Sequence, residues 1–193
     1  KHMPENEEVV AKNLGKSSPE EVREEVKKNL LEHRLKMAKE QHSQKVEEEL
    51  LKKSSFEIPA IMIQRRAAML LERFENRLRE IGMDFQNYLE SSGKTSDDLR
   101  AELEGEAEKD VRRDLVLDAI SQTEDIQVPE ESLNSVVQGL ATEMGQDPKA
   151  VRTTLEIRGA LDDIKAQLGR IETLNAMAVK AAVNAGTPLP EPV

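Results

Sequence analysis

Two stretches of the chain open alike and run on alike, and they leave little freedom of architecture. Phe56-Glu57-Ile58-Pro59 and, seventy positions later, Ile126-Gln127-Val128-Pro129 each set a proline behind a β-branched residue and ahead of an amphipathic run. Behind the first proline the apolar residues Ile63, Ala67, Leu70, Phe74, Leu78 and Ile81 keep one helical face, and Gly82 closes the run. Behind the second, Leu133, Val136, Val137, Leu140 and Met144 do the same, and Gly145 closes it. A proline biases its predecessor towards extended backbone and needs no hydrogen-bond donor in a first helical turn, while a glycine tolerates the left-handed conformation that ends one. The spacing therefore predicts two helical units with their own start and stop signals.

Each unit has a second half. Thr95-Ser96-Asp97-Asp98-Leu99 has the form of a capping box opening a helix through Leu103, Ala107, Val111, Leu115 and Ala119. Gly159-Ala160-Leu161 leads into Leu161, Ile164, Leu168, Ile171 and Leu174. Short helices are expected between the halves, from Asp84 to Glu90 and from Asp147-Pro148 to Ile157, with Ser91-Ser92-Gly93-Lys94 as the break inside the first unit. The pattern reads as a divergent duplication, although any run of helices carries similar spacing.

Ahead of the units, Ser18-Pro19-Glu20-Glu21 supplies an N-cap, a proline at the first helical position and a glutamate able to bond back. The helix it starts should reach about Lys52, roughly 50 Å at 1.5 Å per residue. Its stripe of Val22, Val26, Leu30, His33 and Met37 is thin, thins further through Gln41 and Gln44, and recovers at Leu50 and Leu51. Such a helix suits a strut better than the centre of a compact core. Lys52 and Lys53 complement its C-terminal dipole. Residues 1–3, Lys-His-Met, read as a vector scar and the chain as a fragment of something longer. The expected organisation is 4–53 as lead-in and long body helix, 54–122 as first arm, 123–182 as second arm with Ser121–Asp125 linking them, and 183–193 as a proline-rich tail. The expected fold is all-α, an elongated helical body with a long helix and two protruding helical arms.

Composition narrows the function. The 193 residues are 37% hydrophobic and 34% charged, which favours thin helical layers over a thick core. A formal charge of -10 repels phosphate backbones, and one Tyr, three Phe and no Trp offer no stacking platform, so nucleic acid is not an expected partner. The absence of Cys removes disulfides and thiolate metal sites and suits a reducing cytosol. No apolar run has spanning length, and no membrane contact is expected. His33 and His42 lie nine apart, off the spacing that puts two ligands on one helical face, and no metal or other cofactor is expected. Glu47-Glu48-Glu49 and Asp162-Asp163 suit solvated faces, and no phosphate loop, nucleophile elbow or triad is visible, so no catalytic residue is named. What remains is apolar surface, rich in adaptable Met at 37, 62, 69, 83, 144 and 177.

Several segments, in order, resemble the C-terminal domain of bacterial trigger factor. They are Phe56-Glu57-Ile58-Pro59, Tyr88-Leu89-Glu90 with Gly93-Lys94-Thr95 and Leu99-Arg100, Leu115-Val116-Leu117-Asp118-Ala119-Ile120, Gln146-Asp147-Pro148-Lys149 with Val151, and Gly159-Ala160-Leu161-Asp162-Asp163. The lead-in Val10-Ala11-Lys12-Asn13-Leu14-Gly15 and the helix from Pro19 extend the likeness to roughly residues 7–180. The resemblance implies a helical body with two arms and ATP-independent chaperoning of nascent or unfolded polypeptides in the bacterial cytoplasm. It also implies that ribosome docking and peptidyl-prolyl isomerase activity belong to domains this sequence does not contain, so the fragment itself is not expected to be an enzyme.

Carried over by position around Gln146-Asp147-Pro148-Lys149, the resemblance implies client contacts at Leu140, Met144, Val151 and Leu155, with Thr154 where an aromatic residue is expected. The periodicity of the first arm adds Met62, Met69, Leu70 and Phe74. Each is a candidate contact and equally a candidate for packing between helices. An alternative use of the same stripes is a scaffold or dimerisation module with one specific partner, for which a weak homodimer is compatible.

Overall fold

The computed structural model describes residue 15 and residues 17–186. The lead-in of residues 4–14, the scar and the tail from residue 187 lie outside the described residues. Among the described residues the fold is all-α: α1 (Pro19–Lys53), α2 (Ala60–Glu80), α3 (Phe85–Ser92), α4 (Ser96–Thr123), α5 (Glu130–Met144), α6 (Pro148–Ile157) and α7 (Ala160–Asn184). They divide into two compact units, one of residues up to 46 with those from 178 onward, the other of residues 47–177.

In the smaller unit, α1 starts as its sequence indicates. The Ser18 hydroxyl accepts from the Glu21 amide at 3.2 Å, and the Glu21 carboxylate reaches back to the Ser17 amide at 2.9 Å, one residue before the usual capping-box partner. The helix buries none of its residues, and Val26, Leu30, Leu31 and Met37 are exposed. Where it meets the end of α7, the small side chains of Ala178 and Ala182 are buried and His42 Nε2 lies 2.9 Å from the Ala178 carbonyl. A carbonyl only accepts, so Nε2 carries the proton there.

The larger unit holds two arms with the same order of parts. Pro59 (φ -59°, ψ 130°) and Pro129 (φ -61°, ψ 133°) stand as extended N-caps ahead of α2 and α5. Neither helix start has a side-chain cap, and the pre-set proline φ does the work of fixing the entry. Both helices end on a left-handed glycine, Gly82 (φ +70°) and Gly145 (φ +62°), conformations a side chain resists. Past each glycine the chain bonds back five residues, the Met83 amide to the Leu78 carbonyl and the Gln146 amide to the Ala141 carbonyl, both at 2.9 Å. Two residues past each glycine an aspartate caps the next helix: Asp84 accepts from the Gln86 amide and Asp147 from the Lys149 amide, each at 3.0 Å. The same Gly-x-Asp turn thus joins the first two helices of both arms.

Two boundaries differ from the sequence reading. The stretch Ser121–Asp125 is mostly helix, because α4 continues to Thr123, whose hydroxyl bonds the Ala119 carbonyl at 2.8 Å. The turn proper falls at Asp125 (φ +48°), with the Ile126 amide closing onto the Ser121 carbonyl at 3.0 Å. At the other end α7 runs to Asn184, two residues into the stretch expected as tail, because Ala181 and Ala182 favour helix and no proline stands before position 188.

Candidate functional site

The first arm is a helical hairpin with a crevice along one side. One face of α2 presents Gln64, Ala67, Ala68, Leu71 and Glu75, the opposing face of α4 presents Ser96, Leu99, Arg100, Leu103 and Glu104, and Phe85 of α3 stands at one end. Between them lies a crevice of about 500 Å³. Ala67 and Ala68 contribute only methyl groups to its α2 wall. Beside it Leu89, Leu99 and Leu103 form the arm's core, packed by Leu70, Leu71, Phe74, Phe85 and Tyr88. Phe74 and Tyr88 meet edge to face at 4.9 Å between ring centres. The rim carries Glu75, Asp97 and Glu104 against the single cation Arg100. The crevice is apolar inside and acidic outside.

The cap of α4 borders this crevice. The Thr95 hydroxyl accepts from the Asp98 amide at 3.1 Å while the Asp98 carboxylate accepts from the Thr95 amide at 2.9 Å, the reciprocal box expected from the sequence. The Thr95 hydroxyl, donating in turn to Asp98 Oδ2 at 2.7 Å, and after it the Thr95 amide hold the Asp98 carboxyl below the ordinary aspartate range. Lys94 reaches across to Glu102 at 2.6 Å, which raises the ammonium above its ordinary value.

The second arm has a core of its own. Leu133, Val137 and Ala141 of α5, Val151 of α6 and Leu161 of α7 form its core, with Leu140, Leu155, Ile164 and Leu168 packed around them. Arg152 ties α6 to α5 through Asn134 at 2.8 Å and Glu130 at 3.4 Å. The two arms meet at a group of charges. Arg66 of α2 and Arg170 of α7 both reach Asp114 of α4, which is only 8% exposed.

The contacts expected from sequence separate into three groups. Met62, Met69 and Met144 are exposed by 37%, 49% and 57% of their surface. Leu140, Leu155, Leu70 and Phe74 are half-buried against the arm cores. Val151, at 2% exposure, is core, and the expectation of a contact there is corrected: it faces α5, and its side chain has no surface to offer. Met62 and Met69 are seven residues apart, two turns along one face of α2, and neither lines the crevice. The crevice residues Ala68, Leu71, Phe85 and Leu99 were not among the contacts expected from sequence. The adjacent alanines at 67 and 68 were the available signal, since small residues on an otherwise large apolar face leave space.

A smaller apolar recess of about 460 Å³ lies between Ser54, Ser55 and Phe56 and the Leu115, Val116, Ala119, Ile120 face of α4. Arg112 stacks over Phe56 at 5.3 Å. Among the described residues no group of His, Asp and Glu is placed to hold a metal ion, and no helix is long and apolar enough to cross a membrane.

Fold and surface define an all-helical domain of two similarly capped three-helix arms, one of them holding an open apolar crevice. The chain belongs to the family described as bacterial trigger factor protein C-terminus, whose model matches residues 18–177. It is 31% identical over 168 residues to the trigger factor of Desulforamulus reducens, covering 87% of this chain and 39% of that one. It is 34% identical over 127 residues to that of Pelotomaculum thermopropionicum, covering 66% and 29%. The chain therefore spans about two fifths or less of the length of these relatives. A solved structure of trigger factor domains from Thermotoga maritima is similar at a TM-score of 0.51 and 24% identity, over 72% of this chain and 81% of that one, a likeness of fold.

Proposed function

We propose that this domain holds exposed apolar segments of unfolded or nascent polypeptides and keeps them from aggregating, without ATP, in the bacterial cytoplasm. The observation that carries the reading is the open crevice of the first arm in a chain of the trigger factor family. Leu71, Phe85, Leu99 and Leu103 supply apolar walls, Ala68 opens the mouth, and exposed Met62, Met69 and Met144 extend the apolar surface with side chains that adapt to irregular partners. Leu140, Leu155, Leu70 and Phe74 add the edges of their half-buried faces, and Val151 acts only by holding α6 on α5.

The energetics suit repeated capture and release. Covering about 100 Å² of a client's apolar surface gives about 2.5 kcal/mol before ordering costs, so one contact is weak and several together are needed. The acidic rim and the formal charge of -10 favour basic clients and keep neighbouring molecules apart. Ribosome docking and isomerase activity are assigned to regions of whole family members outside this domain and form no part of the proposal for residues 15–186.

The test is light scattering of an unrelated denatured enzyme on dilution, with the parent chain and with Ala68→Glu, which blocks the crevice from an exposed position of a helix that tolerates Glu. The parent should suppress scattering and the variant should need several-fold more protein for the same suppression at unchanged circular dichroism. Scattering unaffected by the parent chain overturns the reading. A scaffold reading has its own observation, the exposed Val26, Leu30, Leu31 and Met37 of α1. It gains if sedimentation shows a defined dimer and the chain leaves scattering unchanged.

A further inference from the structure

The arms share one carboxylate. Asp114 Oδ2 accepts from Arg66 Nη2 of the first arm at 2.5 Å and lies 3.3 Å from Arg170 Nη1 of the second. Arg170 also forks onto Asp118, with Nε and Nη2 donating at 2.8 and 2.9 Å. Arg66 Nη1 is 3.6 Å from Asp110, and Arg113 lies between Asp110 and Asp114 at 3.7 and 3.6 Å. Three guanidinium groups thus meet three carboxylates, and the group is formally neutral. The apolar cluster of each arm is assembled from that arm's own helices.

We propose that Asp114 and Arg170 form an electrostatic joint that fixes the second arm on the first, and that screening or removing the pair lets two intact arms move apart. The geometry carries this in two ways. A planar guanidinium held on two carboxylates fixes orientation as well as distance, so Arg170 sets an angle that a lysine would leave loose. Without the Asp114 carboxylate, Arg66 and Arg170 face the same space as like charges. The Arg170 guanidinium is correspondingly held above its ordinary basicity, first by its bonds to Asp118 and further by the nearby Asp114 charge. Val111, Val116 and Leu117 are also buried on α4, and salt distinguishes their contribution. Screening weakens ion pairs, partly buried ones less than exposed ones, while salts that strengthen apolar association tighten a greasy contact.

The chain has no native cysteine, so the double variant Asn87→Cys, Lys149→Cys places one spin label on each arm. Dipolar spectroscopy on the parent should give one narrow distance distribution at low ionic strength. In Arg170→Gln and in Asp114→Asn that distribution should broaden and shift by several ångströms, with amide exchange protection at Leu89 and Val137 retained. The parent in about 1 M sodium chloride, where the Debye length is about 3 Å, should move partway in the same direction. Glu108→Gln, which breaks only the peripheral pair with Arg112, should leave the distribution as it is. If Asp114→Asn loses protection in the first arm, Arg170→Gln decides, because it leaves the Arg66–Asp114 bond in place. An unchanged distribution in Arg170→Gln, or one that narrows with salt, overturns the joint. The inference rests on the ion group and stands whether or not the arms hold polypeptides.

Discussion

The two arms start from the same local instructions and arrive at different interiors. Counting eight residues past each opening proline gives Ala67 in the first arm and Val137 in the second, both buried. Counting eleven gives Leu70 and Leu140, both half-buried against their cores. From Pro59 to Gly82 is 23 residues and from Pro129 to Gly145 is 16, so the first span carries seven more. Seven residues are close to two helical turns, and the buried face therefore keeps its direction through the extra length. Capping and register are shared, and side-chain volume is not. The eighth position is a valine buried in the core of the second arm, and in the first it is an alanine that, with the alanine after it, lines a crevice of about 500 Å³.

Exchanging the residues tests that directly. Val137→Ala should destabilise the second arm by about 2 kcal/mol, through lost burial and the cavity left in a closed core. Ala67→Val should cost far less, because the first arm already has room for the added methyl groups, and it should narrow the crevice. Hydrogen exchange resolved by arm measures both, and equal costs in the two arms would remove volume as the explanation of their difference.

A smaller effect belongs to the start of α4. Thr95→Ala should cost about 1 kcal/mol at neutral pH, the usual worth of a side-chain N-cap. The counterpart helix α7 opens at Ala160 behind Gly159, which has no side-chain oxygen to lose. The folded Asp98 carboxyl lies below its ordinary value of 3.8, so its contribution is present above that value and is lost as pH falls through the lower folded value. The gap between parent and Thr95→Ala should accordingly close in acid, read from exchange at the first-turn amides of α4. A gap that persists unchanged would detach the cap from Asp98.

The smallest expected effect treats the arms alike. Gly105 in α4 and Gly139 in α5 sit inside helices on exposed faces, with open space where a methyl group would stand. Gly105→Ala and Gly139→Ala should each stabilise by about 0.5–1 kcal/mol, by limiting the unfolded backbone and improving helix propensity. Thermal melting of the two variants should shift upward by similar amounts. A clear asymmetry would show that one glycine serves a purpose its open surroundings do not reveal.

Much of this was legible in the chain because the signals are local. The Ser18-Pro19 start, the Thr95–Asp98 box and the glycines at 82 and 145 act through backbone atoms within a few residues, so their geometry follows from their order. Leu133, Val137, Leu99 and Leu103 were legible as core through helical spacing alone. The misplacement of Val151 has the opposite character. Its neighbours Gln146-Asp147-Pro148-Lys149 fix where α6 begins, yet only the packing of α6 against α5 decides which of Val151, Thr154 and Leu155 turns inward.

By itself the sequence determined an all-α fold, the order of the helices among the described residues, the caps that bound most of them and a repeated Pro-to-Gly helix pattern, because each depends on periodicity or on bonds closed within one turn. Tertiary structure alone decided that Ala67 and Ala68 border an empty crevice while Val137 fills a closed core. It alone brought Arg66, Asp114 and Arg170 together across 104 positions of sequence. Asp110, Asp114 and Asp118 stand four apart, a spacing that sets them on one face of α4. Whether such a face meets water or arginines depends on helices remote in the chain, and that is fixed by packing, not by spacing.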